Sequence, residues 1–228
     1  NTKKKKGGDP IMISVSIDPN IRACCPNAVL GLLQCHVSVH PADDTLLALL
    51  NEKIAALAET ELSQANKREF IQSTRRAYKA LGKDPNRYRS SAEAMCRRIA
   101  KERGLYYINN VVDINNYLSI SCGYSMGTYD LEQIRGNLVW KRAPEDCVYQ
   151  GIGKDLIHIG CLPVLFDADG PFGNPTSDST RTMVTESTKE ILMVFYTFQN
   201  GQELDQLLEL AANLLTAHAQ ATNIETQI

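Results

Sequence analysis

The sequence lacks any hydrophobic run that could cross a membrane. Its 228 residues contain no stretch approaching the roughly 20 consecutive apolar residues of a transmembrane helix. The first ten residues are polar, with four lysines and two glycines, whereas a secretory signal carries an apolar segment there. The sequence therefore predicts a cytoplasmic protein with no membrane partner and a disordered tail over residues 1–11.

Cysteine and histidine form no metal-binding pattern. The seven cysteines include no C-x-x-C pair, and the four histidines do not pair at the short spacings of a zinc site. An odd number of cysteines scattered over a long chain is unlike the disulfide framework of a small secreted domain, so we expect reduced thiols. We expect neither a metal nor another cofactor. A nucleophile elbow, an H-E-x-x-H motif and an evident Cys/His dyad are also missing.

The composition is that of a globular protein with a full core. Hydrophobic residues make up 43% of the chain and charged residues 22%, which excludes a fibrous or wholly disordered chain. No long Pro-, Gly- or Ser-rich linker divides the sequence. We therefore expect a single domain over residues 12–228.

Hydrophobic periodicity predicts helices mainly in the first half and strands mainly in the second. Capping residues and turn chemistry set the boundaries, as in Ser90-x-x-Glu93 and Gly123. One predicted helix begins near Asp43, and four others cover residues 67–81, 90–104, 111–122 and 203–218. The predicted strands cover residues 12–17, 28–39, 137–142, 156–160, 162–166 and 191–198. This order predicts an α+β fold with packed helices and a largely antiparallel sheet.

Positive charge is concentrated in one part of the chain. Residues 67–103 hold twelve Lys/Arg against four Asp/Glu, a local charge of +8, whereas residues 104–228 hold six against fifteen. A basic block of this kind favours binding to the phosphates of a nucleic acid, and a solvated helical surface is the alternative. Tyr78 and Tyr88 within the block could stack on bases or be half-buried. The predicted phosphate contacts are Arg75, Arg76, Arg87, Arg89, Arg97 and Arg98.

Two segments carry polar residues that ordinary packing does not explain. Asn115 and Asn116 lie inside the predicted helix 111–122, where asparagine has poor propensity. They either bond neighbouring main chain or form the polar edge of a pocket. Residues 170–182 combine two prolines and two glycines with hydroxyl residues, Asp178 and Arg181. Such a loop lines a site or is plain surface.

A third segment has a superficial likeness to a phosphate-binding loop. Gly151-x-Gly153-Lys154 lacks the full spacing of that motif, and Asp155 follows the lysine. We therefore expect a β-hairpin turn here.

Several motifs together resemble a known family. They are the run from Asn109 to Tyr117, then Gly123, Tyr129-Asp130-Leu131, Gly170-Pro171 and the run from Val184 to Leu192. In this order they resemble the tRNA-editing domain, called B3/B4, of the phenylalanyl-tRNA synthetase β chain, over about residues 71–198. The resemblance implies an α+β domain that, in the synthetase, hydrolyses tRNA wrongly charged with tyrosine without a metal. The chain has room only for this domain, so we expect a freestanding relative that cannot charge tRNA itself.

The resemblance implies that helix 111–122 and loop 170–182 converge on one cleft. We expect Asn115, Asn116, Asp178 and Arg181 to be catalytic, with Asp178 accepting a hydroxyl of the wrong amino acid. The predicted substrate-binding residues are Gly123, Tyr124, Gly127, Thr128, Phe172, Thr176, Ser177, Ser179 and Thr180. Two features depart from the family: Gly127 stands where a histidine is usual, and the polar segment Thr176 to Thr182 replaces a glycine-rich loop.

Two functions remain open at this point. The first is hydrolysis in trans of the ester of a mischarged aminoacyl-tRNA, with tRNA or aminoacyl-tRNA as partner. An ester is already activated, so an ordered water and oxyanion donors can suffice without a protein nucleophile. The second is a catalytically silent RNA- or amino-acid-binding module that uses the same cleft.

Overall fold

The computed structural model describes residues 11–228. The six α-helices of this range are α1 (Pro19–Cys24), α2 (Asp44–Ala58), α3 (Glu69–Ala80), α4 (Ser91–Ala100), α5 (Asn110–Cys122) and α6 (Leu204–Ala219). Its ten strands are β1 (Val15–Ile17), β2 (Val29–His36), β3 (Ser125–Asp130), β4 (Leu138–Arg142), β5 (Val148–Gln150), β6 (Leu156–His158), β7 (Pro163–Asp167), β8 (Gly170–Gly173), β9 (Glu190–Thr197) and β10 (Thr222–Gln227). Within residues 11–228, no helix is both long and apolar enough to span a membrane.

The strands form two four-stranded sheets and a hairpin. The first sheet has the order β10-β2-β9-β3 and is antiparallel throughout. The second has the order β1-β4-β7-β8, in which only the β1–β4 pair is parallel. Strands β5 and β6 form the hairpin whose turn contains Gly151 and Lys154. The α+β class and the hairpin turn predicted from the sequence are confirmed.

The first sheet is covered on both faces. On one face, Leu33, Met193 and Phe195 pack with apolar residues of α5 and α6. On the other face, Leu32 and Val194 belong to a core shared with the second sheet. Because β2 and β9 are buried on both sides, their sequences are nearly continuous apolar runs, which is why they were recognised as strands.

Side-chain caps fix the starts of three helices. Asp43, Ser90 and Asn109 accept hydrogen bonds from the backbone N–H of residues two or three positions into α2, α4 and α5. At the other end of α5, Gly123 adopts the left-handed conformation at φ 95°. These bonds satisfy backbone groups that a helix terminus leaves free, and they explain why the predicted starts of α4 and α5 and the predicted end of α5 agree with the structure. Helix α4 was predicted to continue to Gly104 but ends at Ala100.

Several weaker elements differ from the predictions. Strands β3, β5, β8 and β10 and helix α1 lie outside the predicted strand and helix ranges. Strand β1 covers only three residues of the predicted 12–17. Edge strands and short elements carry little periodic signal, because pairing partners rather than their own sequence stabilise them. Residues 1–10 of the predicted tail lie outside the described part of the chain, and the neighbouring Ile11 is 90% exposed.

Tyr129 joins the edge of the first sheet to the second sheet. Its ring is buried and meets Phe172 of β8 edge-on at 5.0 Å between centroids. A Cβ added at Gly127 or at Gly173 would overlap the Tyr129 ring and hydroxyl. The two glycines therefore leave the space that this ring fills between the sheets.

We expect Gly127→Ala to destabilise the protein by about 1–3 kcal/mol, the range for overpacking a closed core. Gly31→Ala is the matched control, because its added Cβ would meet the end of the Leu204 side chain at 2.8 Å and the Phe195 Cβ at 3.3 Å, both farther away than the Tyr129 hydroxyl is from a Cβ added at Gly127. Urea unfolding of both variants measures the difference. Equal losses would contradict the space-filling role of Tyr129.

Candidate active site

A cavity of about 230 Å³ lies beside β3, between helices α4 and α5 and the segment that follows β8. Its walls are mainly apolar, with five polar residues. The lining residues are Ser91, Met95, Ile108, Val112, Asn115, Asn116, Met126, Thr128, Ile152, Asp178, Met183 and Val184. Ligand pockets for drug-sized molecules measure roughly 300–1,000 Å³, so this cavity suits a smaller group, such as the amino-acid part of a substrate.

Helix α5 presents its two asparagines to this cavity. Asn115 accepts a hydrogen bond from the Thr128 hydroxyl of β3 at 2.9 Å and donates to the Asn116 side chain at 3.3 Å. The bonds join side chains rather than neighbouring main chain, which favours the pocket-edge interpretation. Within residues 11–228, the Asn116 amide nitrogen has no hydrogen-bond acceptor, so it can donate to a ligand.

Asp178 also lines the cavity. Its Oδ1 accepts hydrogen bonds from the Tyr129 hydroxyl at 2.8 Å and from the Asn174 backbone N–H at 3.3 Å. The Tyr129 hydroxyl lies 2.5 Å from that of Tyr196. No residue of the described chain donates a hydrogen bond to Oδ2. One carboxylate oxygen is thus held by the protein while the other remains available.

Burial raises the pKa of Asp178 to about 7, although its two hydrogen bonds act in the opposite direction. Burial also raises the pKa of Tyr129 and Tyr196 well above the usual value, so both phenols stay protonated. The network consequently places one carboxyl group that changes its charge near neutral pH at the wall of the cavity.

Ser91 is a cavity residue that sequence reasoning missed. It is the first residue of α4, and its backbone N–H donates to the carbonyl of Pro175 at 2.7 Å. Its side-chain oxygen is buried and has no hydrogen-bond partner among residues 11–228. A buried hydroxyl without a partner is costly, so a ligand in the cavity could satisfy it. The capping box at Ser90 was the available signal, because the residue after the cap begins the helix.

The predicted convergence of helix 111–122 and loop 170–182 on one cleft agrees with this geometry. Asn115, Asn116, Thr128 and Asp178 all line the cavity. No cluster of three or more His, Cys, Asp or Glu side chains in the described part of the chain is arranged to hold a metal ion.

Arg181, predicted to be catalytic, does not reach the cavity. Its guanidinium forms two hydrogen bonds with Asp167, at 2.8 and 3.0 Å, and further bonds with the carbonyls of Gln133 and Gly170. These bonds hold the segment after β8 against the second sheet. The prediction for Arg181 is therefore corrected to a structural role.

Four other predicted substrate-binding residues also lie away from the cavity. Gly123 caps α5 next to Arg68, and Tyr124 stacks on Phe70 with 3.9 Å between ring centroids. Gly127 faces the second sheet together with Tyr129, and Phe172 is fully buried there. The side chains of a strand alternate between its two faces, so only Met126 and Thr128 of β3 reach the cavity.

The hydroxyl residues after β8 mainly stabilise their own loop. The Thr176 hydroxyl pairs with that of Tyr78 at 2.8 Å, and the Ser177 hydroxyl accepts from Lys154 at 2.9 Å. Ser179 caps a short turn by accepting from the N–H of Arg181. Thr180 is exposed. None of these four residues lines the cavity.

The predicted phosphate-binding arginines have different environments. Arg75 is paired with Glu93 at 2.9 Å, and their side chains are only 14% and 1% exposed. Arg89 lies 3.7 Å from the same carboxylate. Arg75 is thus corrected from an RNA contact to a structural link between α3 and α4.

Arg76 and Arg87 are exposed, as Arg89 is, whereas Arg97 and Arg98 are partly buried. Arg76 forms an exposed pair with Glu69, and Arg87 lies over the ring of Tyr88. Arg98 donates to the carbonyl of Gly104, and Arg97 is half-buried on the same helix. Tyr78 is buried, with its hydroxyl bonded to Thr176, so it is not available for base stacking.

Comparison with known proteins identifies one family. The family model described as "B3/4 domain" matches residues 73–211. The structure is similar to that of an N-terminal fragment of the phenylalanyl-tRNA synthetase β-subunit from Pyrococcus horikoshii, with a TM-score of 0.50 and 15% identity. The alignment covers 97% of this chain and 52% of that fragment, so the chain spans about half of its length. No curated protein sequence matches.

We expect Arg75→Ala to lower the free energy of unfolding by about 3 kcal/mol, because it leaves the buried Glu93 carboxylate without its main partner. Arg76→Ala is the matched control one residue away. It should cost less than about 1 kcal/mol, since the pair with Glu69 is exposed. Denaturant unfolding measures both, and equal losses would refute the structural assignment of Arg75.

The raised pKa of Asp178 predicts a pH-dependent stability. Between about pH 4 and pH 7, folded Asp178 keeps a proton that the unfolded chain has released, so its contribution to stability falls as pH rises. The Asp178→Asn variant has no ionisable group at this position, so its stability does not fall in this way as the pH rises. From pH 5 to pH 8, we expect the variant to gain about 2–3 kcal/mol relative to wild type in urea unfolding. A difference that does not change with pH would mean an ordinary pKa for Asp178.

Proposed function

Because the chain belongs to the B3/4 domain family, we propose that it binds tRNA and hydrolyses the ester of a mischarged aminoacyl-tRNA in trans, in the cytoplasm. The cavity carries this proposal. It combines apolar walls for an amino-acid side chain with a carboxyl group and with donors that have no partner in the described chain. Such a combination is what ester hydrolysis requires when the protein offers no nucleophile.

Asp178 acts as general base on a water in the cavity. A base is most effective when its pKa lies close to the working pH, and burial gives Asp178 a pKa of about 7. Tyr129 fixes the carboxylate through Oδ1, so Oδ2 takes the proton. This role replaces the one suggested by the sequence, in which Asp178 accepted a hydroxyl of the substrate.

The reaction is complete without a covalent intermediate. The water oxygen attacks the ester carbonyl while Asp178 takes the water proton. The bond between the carbonyl carbon and the ribose oxygen then breaks, and Asp178 returns the proton to the ribose oxygen. The Asn116 amide and the Ser91 hydroxyl donate hydrogen bonds to the developing oxyanion, and Thr128 fixes Asn115 at the cavity edge.

The basic surface supplies the affinity for tRNA. Arg76, Arg87, Arg89, Arg97 and Arg98 are the contacts to phosphate that remain after Arg75 is assigned to Glu93, because the Arg89 side chain is still 42% exposed. Binding through phosphates releases counterions, so the affinity should fall steeply as the salt concentration rises.

One observation favours the silent binding module as a second candidate. The residues lining the cavity include no lysine, arginine or histidine, so no cation there stabilises an oxyanion. In this candidate the same cavity holds an amino acid or an RNA end without hydrolysis.

Deacylation of a panel of mischarged tRNAs by the purified protein distinguishes the two candidates. We expect loss of ester above the buffer blank for at least one member. Asp178→Asn should reduce the rate by about 10²- to 10⁴-fold, the usual contribution of a general base, while keeping acceptors for Tyr129 and Asn174.

Asp155→Asn is the matched control, since this exposed carboxylate lies in the neighbouring hairpin and does not line the cavity. It should deacylate like wild type. No deacylation of any tRNA by wild type, together with tRNA binding, would establish the silent module instead.

A further inference from the structure

An exposed aromatic segment lies between α4 and α5 at the edge of the cavity. Tyr106, Tyr107 and Ile108 are 71%, 50% and 61% exposed, and Ile108 also lines the cavity. The basic block from which the phosphate contacts were predicted ends at Arg103, so this segment follows it directly. Neighbouring apolar side chains exposed beside a cavity indicate a binding surface.

Tyr106 is held with one face covered by a cation. The Arg98 guanidinium carbon lies 4.6 Å from the ring centroid, and its Nε donates to the Gly104 carbonyl at 2.9 Å. Since the residue is nevertheless 71% exposed, the other face of the ring is open. An aromatic ring with one open face and an adjacent arginine is typical of surfaces that stack on nucleic-acid bases.

Tyr107 is fixed from a different element. Its hydroxyl donates to the Asn51 side chain of α2, while half of the residue stays exposed. Two exposed aromatic residues therefore stand next to each other, each held by a polar contact. Holding them before a ligand arrives reduces the entropy that binding would cost.

The charge of this surface favours a polyanion over a protein partner. Arg97, Arg98, Lys101 and Arg103 lie in α4 or just after it, with Glu102 as the one acidic residue between positions 94 and 105. None of the four forms a salt bridge within residues 11–228, and Lys101 and Arg103 are exposed. Unpaired cations around exposed aromatic rings suit a single RNA strand, with phosphates on the cations and bases on the rings.

The distance to the cavity fits a short run of nucleotides. Ile108 is two positions after Tyr106, and extended chain covers at most about 7 Å over that interval. Stacked nucleotides are roughly 3.4 Å apart along a strand. We propose that Tyr106 and Tyr107 form a stacking platform for the unpaired nucleotides of an RNA strand whose end enters the cavity. This inference rests on the proposed function and names the part of the substrate recognised outside the cavity.

A single-stranded RNA hexamer containing 2-aminopurine tests the platform, because the fluorescence of this base falls when it stacks. Titration at low salt should quench the signal with wild type. Tyr106→Leu and Tyr107→Leu should each weaken binding about 5- to 100-fold, the effect of losing one base–aromatic stack. Tyr106→Phe keeps the ring and should bind like wild type.

Phe166→Leu is the control for loss of a ring beneath a cation. Lys141 lies 4.2 Å from the Phe166 centroid in the second sheet, and neither residue lines the cavity. The Phe166→Leu variant should bind the hexamer like wild type. Circular dichroism checks that each variant is folded. If a leucine variant does not fold, Tyr106→Phe still tests whether the ring alone is sufficient for binding.

The platform and the proposed function can fail separately. Unchanged affinity in both leucine variants, or no quenching by wild type, overturns the platform even if the protein deacylates tRNA. Quenching that depends on Tyr106, with no deacylation of any tRNA, supports the platform and refutes hydrolysis.

Discussion

The hydrogen-bonded position of the Tyr129 hydroxyl is the constraint on which the site depends. The ring passes between Gly127 and Gly173, which connects the edge strand of one sheet to the last strand of the other. Its hydroxyl then bonds Asp178 and Tyr196. The loop that carries Asp178 is thus attached to a strand rather than free, and strands position functional groups more accurately than loops do. The chemistry of Asp178 follows from this attachment, since the same burial that immobilises the carboxyl group raises its pKa to about 7.

The departure at Gly127 has a steric explanation in this structure. The family resemblance leads one to expect histidine at this position, yet any side chain there would overlap Tyr129. The polar groups of the cavity come instead from α5, from the start of α4 and from the loop after β8. Specificity depends on how buried polar groups are paired, so these donors and acceptors determine what the cavity can bind. The family therefore determines the fold, while the side chains around the cavity determine its chemistry.

The arginines of the basic block, residues 67–103, have different structural roles. Arg75 and Arg89 share the buried carboxylate of Glu93 and join two helices. Arg98 covers one face of Tyr106, so a cation that composition assigns to phosphate also orients an aromatic ring. Net charge over a segment is additive, but the energy of each charge depends on its burial and partner. A local charge of +8 thus indicates a surface for a polyanion without identifying which arginines contact it.

The sequence by itself determined the α+β class, the long helices and central strands, the start of α4, both ends of α5, and the polar character of Asn115, Asn116 and Asp178. These features depend on local periodicity, capping and composition, which act over a few residues. Only the tertiary structure decided that Arg181 bonds Asp167, that Gly127 and Phe172 contact Tyr129 rather than the cavity, and that Ser91 and Ile108 line the cavity. The physical reason is that these outcomes depend on pairing between residues distant in the chain. Which face of β3 points to the cavity, and which carboxylate an arginine meets, follow from strand register and packing between the sheets.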